Sequence, residues 1–173
     1  QLNVESFEEL ELLSQVAVAN NATAPVALRV NPDVDAKTHA KIATGKSENK
    51  FGIPIARARE VYAEAAALPG LKVIGIDVHI GSQLTELAPI NEAVSHGVDL
   101  IRELRSRNFD IRYLDAGGGL GITYDTETPP APEAHVGAIL KLIDGMNLTL
   151  VLEPGRALVG NSGALLTRVL YHK

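Results

Sequence analysis

Short β-rich runs alternate with helix-spaced stretches along all 173 residues, and this alternation restricts the fold more than any other feature of the chain. The β-rich runs are LNVES (2–6), VALRVN (26–31), VIGIDVHI (73–80), IRYLDA (111–116), LTLVLE (148–153) and ALLTRVLY (164–171). Ser6 and Glu9 form a capping-box pattern, after which Phe7, Leu10, Leu13 and Val16 recur on one helical face. Pro54 precedes a second helix over 55–68, stopped by Pro69-Gly70. Ile90, Val94, Ile101 and Leu104 mark a third, and Pro132 opens a fourth that carries Ile139 and Leu142. The runs between 26 and 153 are almost continuously apolar, as strands are when both faces of a parallel sheet are covered. Repeated βα units define an α/β chain.

The unusual sequence lies where those strands end: RVNPD, HIGSQ, DAGGGLG and EPGR. In parallel α/β folds ligands gather at the C-terminal ends of strands, so four such ends point at one shared site. Gly117, Gly118 and Gly119 follow a strand directly, which either lets backbone N–H groups approach an anion such as phosphate or supplies a tight turn with positive φ. The dinucleotide fingerprint is excluded, because its third glycine would fall on Ile122. His79 reads as a packing ring or as a ring stacked on a planar ligand, with Ser82 free to donate to a phosphate. Glu153 and Arg156 read as a structural ion pair, or as separate partners for a cation and an anion. Two connections, 31–52 and 117–132, are too long for plain turns and read as lids or binding loops.

Several function classes drop out. A net charge of -5 without a basic cluster argues against nucleic acid and against an anionic membrane surface. No apolar run approaches the ~20 residues of a membrane helix. The chain has no cysteine, which removes disulfides and cysteine-based metal sites and fits a cytoplasmic setting. Gly45-Lys46-Ser47 ends like a P-loop, but Ala40 stands where the first glycine belongs and no apolar strand feeds the segment. No metal-ligand cluster such as HExxH occurs. The first residue is Gln1 and a strand follows almost at once, so the chain reads as part of something longer.

Together, RVNPDVDAKTHAKIATGKSENKFGI, DVHIGSQ, LDAGGGLGI and EPGRALVG resemble the pyridoxal-phosphate-dependent decarboxylases of ornithine, diaminopimelate and arginine, and the diaminopimelate branch most. The likeness runs from about 2 to 173 and rests on four motifs in order. It implies a partial (β/α)8 TIM barrel over 1–163, lacking the first strands, with 164–173 a strand leading into a C-terminal β-domain that is absent. It implies pyridoxal 5′-phosphate as cofactor and a homodimeric parent that converts meso-diaminopimelate to L-lysine and carbon dioxide. A sibling basic amino-acid decarboxylase and a non-catalytic cofactor-binding relative stay open beside that reading. His79 would stack on the pyridine ring, Glu153 would pair with the ring nitrogen, and Arg29 would lie near both ring and Glu153. Ser82, Gly117, Gly118, Gly119, Gly155 and Arg156 would hold the phosphate, with Arg156 also available to a substrate carboxylate. The loop 33–50 would be the lid. The family's Schiff-base lysine lies on an earlier strand, and none of the seven lysines here ends a core strand. The chain alone is therefore expected to be inactive.

Overall fold

The computed structural model describes residues 1–36 and 51–172, so most of the expected lid lies outside the described residues. In chain order the elements are β1 (Leu2–Val4), α1 (Phe7–Ala19), β2 (Ala24–Asn31), β3 (Ile53–Pro54), α2 (Ile55–Ala67), β4 (Leu71–Asp77), α3 (Leu87–Ser106), β5 (Tyr113–Asp115), α4 (Pro132–Leu142), β6 (Thr149–Val151) and α5 (Arg156–Val159). All strand pairs are parallel, in the order β1-β2-β4-β5-β6, with the two-residue β3 pairing beside β2. Among the described residues β1 and β6 are opposite open edges, an arc of a barrel rather than a closed one.

Local chemistry accounts for the helices. Ser6 Oγ accepts the Glu9 N–H at 3.2 Å, while the Glu9 carboxylate accepts the N–H groups of Ser6 and Glu5 at 3.2 and 2.7 Å, so α1 starts where its capping box says. Helix α2 buries Ala58, Val61, Tyr62 and Ala65, and the enclosed Tyr62 hydroxyl donates to the Gly75 carbonyl at 2.9 Å, seating the helix on β4. Helix α3 buries Val94, Val98, Ile101 and Leu104, and Gly97 brings its backbone against Val78. The core lies between these helices and the sheet face that carries Leu28, Val30, Ile76 and Leu114.

The other sheet face is polar near its end. Registers align Ala27, Gly75 and Tyr113 on one level, and Arg29, Asp77, Asp115 and Val151 on the next. A Cβ added to Gly75 would meet the Cβ atoms of Tyr113 and Ala27 at 3.0 and 3.1 Å, so these side chains share a face. With a period of two, His79, Gly117 and Glu153 continue one level beyond.

Two expectations need correction. ALLTRVLY forms no strand: residues 163–172 carry no regular structure and are exposed, Leu166 at 97%. A strand satisfies its N–H and C=O groups through a neighbour, and no described strand pairs with this segment. The core strands also stop sooner than their apolar runs suggest, so His79 and Glu153 lie two residues past β4 and β6 rather than on them.

Candidate active site

Hydrogen bonds between neighbouring strand ends tie the expected residues together. The Glu153 N–H donates to the Gly117 carbonyl at 2.8 Å, and the Gly118 N–H donates to His79 Nδ1 at 3.1 Å. An Nδ1 that accepts an N–H carries no proton, so the His79 ring is neutral with its hydrogen on Nε2. Burial first, and the Arg29 guanidinium second, push its pKa below the usual histidine value, which keeps it so.

The glycines answer to close packing as well as to conformation. Gly117 and Gly119 have φ of 65° and 100°, in the region that favours glycine. Gly118 lacks that constraint, yet a Cβ there would stand 2.2 Å from the Glu153 carbonyl oxygen; at Gly119 it would stand 2.2 Å from that of Gly81. The triple glycine is thus needed for three strand ends to meet. At Gly155 nothing lies within 4 Å of an added Cβ, and the turn into α5 is open there. Ser82 is half-buried beside Gly81.

Charge is distributed unevenly. Asp77 and Asp115 are each 2% exposed, and Asp77 Oδ1 has no hydrogen-bond partner among the described residues. Burial first, then the Asp115 and Glu153 carboxylates, push Asp77 up to about 8. Asp115 accepts from the Gly117 N–H at 2.9 Å and from Asn3 Nδ2 at 2.9 Å, and Asn3 also reaches Glu153 Oε1 at 3.4 Å. Glu153 faces the open side of the sheet; burial and then Asp115 raise its pKa, against the pull of Arg29 and Asn3. Arg29 is held by Glu5 at 2.5 Å and lies 5.4 Å from the Phe51 ring centroid.

Glu153 and Arg156 do not pair. Arg156 Nη1 donates to Gln83 Oε1 at 3.0 Å, and its guanidinium lies 5.6 Å from the Tyr124 ring centroid. Among the described residues no carboxylate pairs with it, which removes the structural ion-pair alternative. The expected residues meet at one end of one sheet. Asp77, Asp115, Asn3, Glu5 and Gln83 join them without having been singled out in the sequence. For Asp77 and Asp115 the available signal was position, each two residues before an expected site residue.

The fold agrees with known proteins. Residues 1–160 match the family model described as pyridoxal-dependent decarboxylase, pyridoxal binding domain. The chain belongs to this family. Diaminopimelate decarboxylase of Pseudomonas aeruginosa is 54% identical over 171 residues, covering 99% of this chain and 41% of that protein. The enzyme of the same name from Neisseria meningitidis serogroup B is 52% identical with the same coverage. The crystal structure of Helicobacter pylori diaminopimelate decarboxylase complexed with L-lysine superposes with a TM-score of 0.86 and 38% identity, over 90% of this chain and 40% of that one. Lysine decarboxylase from Selenomonas ruminantium has the same fold at lower likeness, with a TM-score of 0.72 and 26% identity over 89% of this chain and 38% of that one. The chain spans about two-fifths of the length of the curated relatives it matches. A partial barrel of the pyridoxal-dependent decarboxylases accounts for both its open sheet and this coverage. No helix among the described residues is long and apolar enough to cross a membrane.

Proposed function

We propose that this chain is the ring- and phosphate-binding part of a diaminopimelate decarboxylase, whose complete form releases carbon dioxide from meso-diaminopimelate to give L-lysine. The observation that carries the reading is the pair of unlike charges just past the end of β6. Among the described residues, Glu153 feels Arg29 but forms no ion pair, and Arg156 has no carboxylate partner. A molecule with a basic ring nitrogen and a phosphate meets both needs, and the neutral His79 ring is tied to the same group of strand ends through the Gly118 N–H. Pyridoxal 5′-phosphate, bound there, supplies an electron sink for the pair left when carbon dioxide departs.

The chain's own residues then have separate tasks. Glu153 holds a proton on the ring nitrogen, and the Asn3 amide 3.4 Å away orients that carboxylate. His79 stacks as a neutral ring, fixed by the Gly118 N–H. Ser82, the Gly117–Gly119 backbone, Gly155 and Arg156 receive the phosphate, and Arg156 is also within the compass of a substrate carboxylate. Arg29, fastened by Glu5, sets the field beside Glu153. Among the solved structures, 38% identity to a diaminopimelate decarboxylase against 26% to a lysine decarboxylase favours this substrate over that of a sibling. The same reading makes the parent a cytoplasmic homodimer, with residues 164–173 entering a further β-domain.

The test uses the full-length parent, assayed with meso-diaminopimelate, ornithine and arginine. Glu153→Gln is expected to lower kcat by about a hundredfold or more while cofactor affinity changes little, since a neutral amide no longer stabilises the protonated nitrogen. Turnover by Glu153→Gln close to that of the wild type, or a preference for ornithine, would count against the reading.

A further inference from the structure

Both the oxygen and the nitrogen of the Gln83 side chain are engaged, by two different strand-end loops. Its Nε2 donates to the Ile122 carbonyl at 2.5 Å, and its Oε1 accepts from the Ile122 N–H at 3.2 Å, so the amide pairs with one residue in both directions as a neighbouring strand would. The same Oε1 accepts from Arg156 Nη1 at 3.0 Å. Around it, Leu84 N–H donates to the Gly119 carbonyl at 2.8 Å and Gly121 N–H to that of Leu84 at 3.0 Å. Gln83 itself has φ of 60°, a left-handed conformation that a non-glycine residue adopts at a cost and that surrounding contacts must hold. Two features follow for Arg156. Its direction is set from two sides, by the Gln83 oxygen and by the Tyr124 ring 5.6 Å away. Among the described residues, however, its charge meets only a neutral amide and a ring.

We infer that Gln83 is the positioning residue of the anion seat: it aims Arg156 at an incoming phosphate or carboxylate without neutralising it. The neutrality of the amide is the essential property. A carboxylate at the same position would be a close partner for the guanidinium and would occupy its charge before any ligand arrived. An apolar side chain of similar volume would leave the charge and remove the aim. The inference rests on the reading of Arg156 as an anion-binding residue and adds what controls it.

The experiment uses the full-length apoprotein and the variants Gln83→Glu, Gln83→Met and Arg156→Ala. Affinities are measured for inorganic phosphate, pyridoxal 5′-phosphate and pyridoxal, together with kcat and KM. Phosphate-group affinity is expected to fall several-fold in Gln83→Met. In Gln83→Glu it falls by about a hundredfold, as in Arg156→Ala, the scale of a lost charge-assisted contact. Pyridoxal, which lacks the phosphate, should be affected little by any of them. If the loss appears in KM for the amino acid with phosphate affinity unchanged, the seat serves the substrate carboxylate and Gln83 keeps its role. Equal effects of Gln83→Met and Gln83→Glu on both anions overturn the inference, as does no effect of either. Should Gln83→Glu fail to fold, Gln83→Met decides alone: wild-type affinity for both anions overturns the inference, and a loss confined to the anionic ligands sustains it. A wild-type protein that binds phosphate in this pattern but does not decarboxylate diaminopimelate sinks the proposed function and leaves the Gln83 assignment standing.

Discussion

Asp77 is the residue at which burial and charge conflict most. Its carboxyl is almost fully enclosed, one oxygen is without a partner among the described residues, and Asp115 and Glu153 both face it. The neighbouring cation, Arg29, is already held by Glu5. Asp77 therefore carries a proton up to a pKa of about 8, against an ordinary value of 3.8. A group raised in this way contributes its full stability below 3.8 and loses it as pH rises through about 8. His79 works in the opposite sense: its depressed pKa gives full stability above 6.5, lost as pH falls. Between pH 6.5 and 8 the Asp77 slope is thus free of the histidine's. In the full-length protein, Asp77→Asn should flatten the fall in stability over that window and add about 1–3 kcal/mol at pH 8, because an amide has no ionised form to desolvate. Thermal melts of both proteins at several pH values measure this; parallel curves would reject it. His79 and Glu153 were legible in the sequence because each stands beside a strand-end motif of glycine or proline. Asp77 was not, because inside VIGIDVHI only the register with Arg29 and Asp115 reveals which face its side chain takes.

At the scale of the element, the glycine turn was legible as a run of small residues, but the stronger reason for it was not. Sequence suggests room for a ligand; the structure shows that the Cβ position of Gly118 is filled by the carbonyl of Glu153. That contact joins residues 35 positions apart, and no local pattern encodes it. Gly118→Ala should push the end of β6 from that of β5, costing about 1–3 kcal/mol and displacing Glu153. Gly137→Ala, on α4 with nothing within 4 Å of the added methyl, serves as the control and should be neutral or stabilising by up to about 1 kcal/mol. Calorimetry on both variants of the full-length protein decides the matter, and equal melting temperatures would refute the steric account. Elements with complete local signals came out as read: the capping box of α1, the proline starts of α2 and α4, and the periodicity of α3. Elements defined by a partner did not. Ile53–Pro54 becomes a strand only because Val30 and Asn31 lie beside it, and ALLTRVLY, with strand-like composition, has no described strand to pair with.

For the molecule as a whole, the open sheet and the lysines govern what a polypeptide of these 173 residues can do alone. Among the described residues, edges β1 and β6 have no further strand beside them where a barrel would close, so the isolated chain is prone to self-pairing. Among the described lysines, Lys72 lies at the start of β4, away from the strand ends that bear the site, and Lys141 lies exposed in the last turn of α4. The length of β4 separates Lys72 from the glycine turn. The expected outcome is therefore weak, phosphate-dependent binding of pyridoxal phosphate without decarboxylation. Glu153 and Arg156 retain their unlike charges in the isolated chain, so binding can persist where catalysis does not. The check is to add the cofactor, record the visible spectrum, treat with borohydride, map any labelled lysine by mass spectrometry, and assay carbon dioxide release from meso-diaminopimelate. Random, substoichiometric labelling with no gas release fits the prediction. Stoichiometric labelling of one lysine with release of carbon dioxide would overturn it, and the labelled position would then identify a lysine, in 37–50 or elsewhere, that reaches the ring site from this chain.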